Sequence, residues 1–204
     1  MPCRIPRPSP ASVVFIDTSI LINYLFGDMS LPGFSGLLDK TNRDFVNTLR
    51  ANGIPLRITT TVKSQAKHWR DILRRKAEER GLPPYLFSKV EAIVMKRYDK
   101  LSPHLREENV STGRYPDIQA FYSKHQSNAR LLACRKSKND VPFRPLPEES
   151  DMKILAEVSL FPNSYLIVAD CDFHSLTEEI GVGFSVSILS QNNMLDALVA
   201  WGWQ

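Results

Sequence analysis

Long apolar runs are missing from this chain of 204 residues. Nowhere do the roughly 18 or more consecutive apolar residues that a membrane-spanning helix needs follow one another. The opening stretch, Met1 to Pro10, is rich in proline and has no apolar core resembling a secretory signal. A cytoplasmic protein with no membrane partner is therefore expected. Cysteine is scarce: Cys3, Cys134 and Cys171 are scattered and odd in number, with no C-x-x-C pair. That leaves both a disulfide framework and a structural zinc site without support. His68, His104, His125 and His174 have no partner spacing for zinc either. No G-x-S-x-G elbow is present for Ser-His-Asp hydrolysis, and Gly181-Val-Gly183 is not placed as a phosphate loop. A phosphatase with a first-strand aspartate nucleophile would need a second aspartate two residues on, where Ser19 stands.

A hydrophobic content of 43% is enough to bury a sizeable core. The formal charge of +4 is unevenly spread, because residues 148–204 hold nine acidic side chains against Lys153 alone, so the positive excess lies in residues 1–147. A basic body joined to an acidic end suits a protein that attracts a polyanion with one surface and holds divalent cations with another. Two solvated faces are the plain alternative.

Ser12 to Ile16 is a β-branched and aromatic run that ends abruptly in Asp17-Thr18-Ser19, and reads as a buried first strand. Ile20 to Phe26 reads as a short helix. Phe34 to Asn52 reads as another, with Leu37, Leu38, Phe45 and Leu49 on one face and a Gly53 stop. Leu56 to Thr61 looks like a second strand. From Val62 the period is helical, with Lys63, Lys67, Arg70 and Arg74 forming a basic shoulder beside the apolar stripe. Leu86 to Arg97 predicts a further helix, 101–116 a connecting loop, and Ile118 to Leu132 one more helix. Arg135-Lys-Ser-Lys138 and the prolines that follow read as a linker. Pro147 with Glu148 and Glu149 marks a helix start that places Asp151 near its beginning. Tyr165 to Ala169 is a buried strand running into Asp170-Cys171-Asp172-Phe173. Val182, Phe184, Val186 and Ile188 then alternate strictly, as a strand near a sheet edge would.

Strands separated by helices point to an α/β fold of three layers, with a central, mostly parallel sheet of about four to five strands flanked by helices. In such sheets ligands bind beyond the carboxyl ends of strands, where both Asp17 and Asp170 fall. Asp151 can join them from its helix. Carboxylates confined together repel, and a bound divalent metal resolves the repulsion. Oxygen ligands suit Mg²⁺ or Mn²⁺, ions that activate water and stabilise phosphoryl displacement.

The order strand-Asp17-Thr18-Ser19, then Thr59-Thr-Thr-Val-Lys-Ser64, then Glu149-Ser-Asp151-Met-Lys-Ile-Leu-Ala-Glu157, then Leu166-Ile-Val-Ala-Asp170-Cys-Asp172-Phe173 resembles the PIN domain family over roughly residues 12–190. The resemblance implies a parallel-sheet nuclease, a Mg²⁺ or Mn²⁺ site, and cleavage of single-stranded RNA by activated water. By matching position it makes Asp17, Asp151 and Asp170 metal-holding and catalytic, places Ser19, the small hydroxyl beside the first, at the metal as well, and puts Gln65 among the catalytic positions. Asp172 is either a further ligand, through water, or the cap of the next helix. The chain divides on this reading into a Pro-rich segment at 1–11, a PIN-like domain at 12–190 with a helical insertion at about 70–146, and a C-terminal tail at 191–204.

Two departures matter. The family usually has a glutamate early in the helix after the second strand, and Gln65 occupies its place here. An amide offers an oxygen but neither charge nor basicity. The enlarged middle is the second departure, and its helices are open to covering the groove, dimerising or binding RNA. Between Lys63 and Lys100 stand eleven basic side chains against five acidic ones, so Lys63, Lys67, Arg70 and Arg74 are candidate phosphate contacts. Trp69 or Tyr98 is open to stacking on a base or lying in the core. The expectation is a metal-dependent endoribonuclease. Its rival is a degenerate module that binds RNA or a protein partner, an antitoxin included, without cutting.

Overall fold

The computed structural model describes residues 5–26, 40–66, 83–108, 113–137, 146–190 and 193–203, with single positions between 68 and 81. Five strands form the sheet: β1 (Val14–Ile16), β2 (Leu56–Thr59), β3 (Leu105–Glu108), β4 (Ser164–Val168) and β5 (Val186–Ser190). All pairings are parallel, in the order β3-β2-β1-β4-β5. Every residue of β1 and β4 is buried. Strands shielded on both faces need helices on both faces, the arrangement of a three-layer α/β domain.

Among the described residues the α-helices are α1 (Thr18–Phe26), α2 (Lys40–Ala51), α3 (Thr60–Ala66), α4 (Pro84–Leu101), α5 (Tyr115–His125), α6 (Ala129–Ser137), α7 (Glu149–Val158), α8 (Cys171–His174), α9 (Thr177–Phe184) and α10 (Met194–Trp201). None of the described helices is long and apolar enough to cross a membrane. Gly53 ends α2 as its position suggests: at φ +72° it adopts the left-handed turn that glycine tolerates, and the Ile54 N–H reaches back to the Leu49 carbonyl at 3.0 Å.

Strand order places the site. The chain builds β1, β2 and β3 outward in one direction, then returns to lay β4 and β5 on the other side of β1. The direction of winding therefore reverses between β1 and β4, and a crevice opens beyond their carboxyl ends. The register pairs Ile16 with Ile167, and the Asp17 N–H donates to the Ile167 carbonyl at 2.9 Å. Asp17 is thus held level with the end of β4.

Three boundaries differ from expectation. Residues 101–116 are not only a loop, since Leu105–Glu108 pairs with β2 as an edge strand. Its sequence, Leu-Arg-Glu-Glu, has none of the apolar alternation of a buried strand because an edge is open to water and is commonly charged. Arg57 on β2 forms an ion pair with Glu108 across this pairing. The middle of the chain is consequently not a purely helical insertion. The alternation from Val182 begins too early: Val182 and Phe184 belong to α9, and Ser185 at φ +56° turns the chain into β5, which does lie at the sheet edge. The helix expected over Ile118 to Leu132 is two, α5 and α6, the second opened by Asn128, whose Oδ1 accepts from the Arg130 N–H at 2.9 Å. The part of the expected helix from Phe34 to 39 lies outside the described residues.

Residues 194–203 do not trail from the domain. Met194, Ala197, Trp201 and Trp203 are buried, and the rings of Phe45 and Trp201 lie 6.2 Å apart. The Trp201 indole N–H donates to the Ile5 carbonyl at 3.1 Å, and the Tyr165 hydroxyl donates to the Pro6 carbonyl at 3.1 Å. Arg7 lies 5.0 Å over the Trp203 ring. Residues 5–7 are thus clasped to Tyr165, Trp201 and Trp203. Trp201→Ala is accordingly expected to cost about 3–5 kcal/mol of folding stability, measured by urea denaturation. A change below about 0.5 kcal/mol would mark the segment as peripheral.

Candidate active site

At the end of β1 the chain turns directly into α1. The Asp17 carbonyl accepts the Leu21 N–H at 2.9 Å, which makes Asp17 the residue from which the helix starts. Its side chain is 4% exposed. Oδ1 accepts the Thr18 N–H at 2.6 Å, and Oδ2 accepts the Ser19 hydroxyl. Ser19 therefore orients Asp17, one role that fits the small hydroxyl expected there. The Thr18 hydroxyl donates to the Gln65 side-chain carbonyl, which fastens α3 to the start of α1.

Asp170 occupies the equivalent place after β4. It is the cap of α8, its Oδ1 accepting the Asp172 N–H at 3.1 Å. The capping role considered for Asp172 thus belongs to Asp170, because the helix begins at Cys171 and Asp172 already lies in its first turn. Asp151 lies in the first turn of α7. Its position follows from the acidic helix start after Pro147 that the sequence displays.

These side chains converge on one cavity of about 350 Å³. Asp17, Asp151, Asp170 and Asp172 line it, together with Ser19, Thr18, Gln65, Glu148 and Arg135, and Ile22 and Leu146 supply the apolar wall. Six of the site residues read from sequence, Asp17, Ser19, Gln65, Asp151, Asp170 and Asp172, are thereby brought together. The basic candidates are not. Lys63 and Arg74 do not line the cavity, and Arg74 lies 5.5 Å over the Phe87 ring. Lys67, Arg70 and Trp69 lie outside the described residues, and Tyr98 packs, partly buried, against the core.

Several functional contacts were not visible in the sequence. Arg135, read as part of a linker, is on α6 and 3% exposed, and its Nε donates to Asp172 Oδ1 at 2.7 Å. Its signal was helical spacing: Leu131, four residues earlier, is also buried, so continuing that stripe by one turn reaches Arg135. Tyr122 on α5 donates its hydroxyl to the Asp172 carbonyl at 3.1 Å. Glu157, 2% exposed on α7, accepts from the Thr61 hydroxyl at 3.0 Å and the Thr61 N–H at 3.3 Å. That pair ties α7 to the first turn of α3, the helix that carries Gln65.

Confinement of the acids has an electrostatic cost. Burial, followed by the charges of Asp17, Asp170, Asp172 and Glu148, pushes the Asp151 carboxyl up to about 8. Burial also raises Asp17, with Asp170 adding to the effect, against the lowering by its bonds from Ser19 and Thr18. Tyr122 is raised by burial and then by the nearby Asp172. A divalent cation would reverse the penalty on Asp17 and Asp151 by favouring their ionised forms, and the carboxylate oxygens that line the cavity suit a hard ion. Among the described residues, Asp170, Cys171 and Asp172 form a group whose ligand atoms all lie within 4.8 Å of one another. The Cys171 thiol is buried and does not line the cavity, whereas both carboxylates do.

The raised Asp151 has a measurable consequence. Its carboxyl ionises near 3.8 in the unfolded chain and near 8 in the folded one. Folding therefore takes up a proton between those values, so the ion-free protein is undiminished below the lower one and loses stability as pH rises through the upper one. In EDTA, Tm is expected to fall between pH 5 and pH 8.5. Asp151→Asn should flatten that fall, and Mg²⁺ should raise Tm more at pH 8.5 than at pH 5. A wild-type Tm that does not fall over this range would refute the repulsive cluster.

Compared with known proteins, the chain finds no significant match to a family model, to a curated protein or to a solved structure.

Proposed function

We infer that the protein is a Mg²⁺- or Mn²⁺-dependent endoribonuclease acting on single-stranded RNA. One observation carries the reading: aspartates from three separate elements, Asp17 after β1, Asp170 after β4 and Asp151 on α7, share one cavity where the sheet reverses its winding. Their raised proton affinity supports it, since such a cluster is relieved by a divalent cation. The motif order that resembles the PIN family supports it independently.

Asp17, Asp151 and Asp170 would hold the ion. When bound, Mg²⁺ or Mn²⁺ supplies Lewis-acid polarisation of a phosphate and lowers the pKa of water at the site. The remaining residues position these three. The Ser19 hydroxyl and Thr18 N–H hold both oxygens of Asp17, the start of α8 orients Asp170, and Glu157 anchors the helix of Gln65. Gln65 already accepts from Thr18, so it adds hydrogen-bonding capacity without charge or basicity. Lys63 and Arg74 do not line the cavity and would serve as sequence-independent contacts for a phosphate backbone beyond it. A cytoplasmic setting, where Cys134 and Cys171 remain thiols, suits this chemistry.

Gln65 also favours a second reading, because a neutral amide stands where the resemblance expects glutamate. On that reading the chain binds RNA, or a protein partner, without cutting. Labelled single-stranded RNA with Mn²⁺ separates the two. Cleavage by the wild type that Asp17→Asn abolishes, and that Gln65→Glu accelerates, is the expected result. A wild type that does not cut, with Gln65→Glu restoring cleavage, would indicate a decayed site. Salt-sensitive binding without cleavage in every form would favour the binding module.

A further inference from the structure

Arg135 is a guanidinium buried beside an acidic cavity that attracts cations. It is 3% exposed, Asp172 is 14% exposed, and the Nε to Oδ1 distance of 2.7 Å is that of a charge-assisted hydrogen bond. A second contact acts on the same residue, the Tyr122 hydroxyl donating to the Asp172 carbonyl at 3.1 Å. Arg135 and Tyr122 lie on α6 and α5, in the middle region between β3 and β4. Those helices thus reach into the site and take hold of one of its four aspartates.

The four are not equivalent. Asp172 has a buried cation against Oδ1, which compensates its charge and takes up a lone pair of that oxygen. Asp151 has the opposite surroundings: among the described residues no group donates a hydrogen bond to its carboxylate, while four acidic neighbours repel it. An ion entering the cavity gains most from Asp151, Asp17 and Asp170, and least from a carboxylate already neutralised.

We propose that Arg135 is a built-in cation that keeps Asp172 out of the ligand set and limits the site to one divalent ion held by Asp17, Asp151 and Asp170. The proposal rests on the metal-dependent reading above and specifies the capacity of that site. Arg135 is a positioning residue on this account. It acts through Asp172, and the middle helices set the number of ions.

Mn²⁺ titration of the full chain, with free ion followed by electron paramagnetic resonance, tests this without reference to cleavage. The wild type is expected to bind one Mn²⁺ per chain. Arg135→Gln releases Asp172 and should add a second equivalent or tighten the first by about tenfold. Removing both charges with R135Q/D172N should return the affinity to within about twofold of wild type, because the pair contributes neither ligand nor net charge. Should that polar pair fail to fold by circular dichroism, R135M/D172L replaces it with apolar side chains, an exchange that buried ion pairs commonly tolerate. The proposal is overturned if either double variant, folded, loses Mn²⁺ as severely as Asp151→Asn does, since Asp172 would then be a ligand. It is also overturned if Arg135→Gln binds Mn²⁺ as the wild type does. Absence of Mn²⁺ binding by the folded wild type would remove the metal-dependent reading itself, and this proposal with it.

Discussion

Parallel pairing between β1 and β4 is the constraint on which the site depends. Asp17 and Asp170 are distant in sequence, yet each ends a strand, and the ladder that aligns Ile16 with Ile167 sets those ends side by side. Burial of both strands on both faces makes the register costly to slip, since a shift of one residue would exchange the side chains packed against the two helical layers. The remaining elements of the site are arranged around this pair. α7 brings Asp151, α3 brings Gln65, and Glu157 fastens those two helices to one another through Thr61.

Placing acids together in a partly dry crevice costs folding free energy, and the surrounding contacts offset that cost unequally. Asp17 receives donors from Thr18 and Ser19, Asp170 receives the Asp172 N–H, and Asp172 receives Arg135. Asp151 has no such donor among the described residues, and burial, followed by repulsion from its acidic neighbours, pushes its carboxyl up to about 8. A structure that concentrates its electrostatic strain on one carboxyl lining a cavity is poised for a cation or a proton.

The middle of the chain has a different part from the one its composition suggests. Its excess of basic side chains reads as a surface for a polyanion. The described contacts show a structural contribution as well: β3 extends the sheet, and α5 and α6 deliver Tyr122 and Arg135 to Asp172. An Arg beside Lys136 and Lys138, followed by prolines, looks solvent-exposed in sequence, where its helical spacing from Leu131 is the one local sign of a guanidinium that turns inward. Only the neighbouring aspartate, brought there by another strand, makes its burial tolerable.

Local pattern by itself determined a good part of this protein. The abrupt change from buried apolar run to Asp17 and to Asp170, the Gly53 stop, the acidic start of α7 and the alternation of strands with helices all depend on neighbours a few residues away, so they are legible along the chain. The α/β class and the convergence of Asp17, Asp151 and Asp170 follow from them. What depended on distant partners was not legible. β3 is a strand because β2 offers it an edge, α10 folds onto the core because Trp201 finds Phe45 and the Ile5 carbonyl, and Arg135 is buried because Asp172 is there to receive it. These were decided by tertiary structure, because a charged strand, a terminal tryptophan and a buried cation are stabilised only by groups that the fold brings to them.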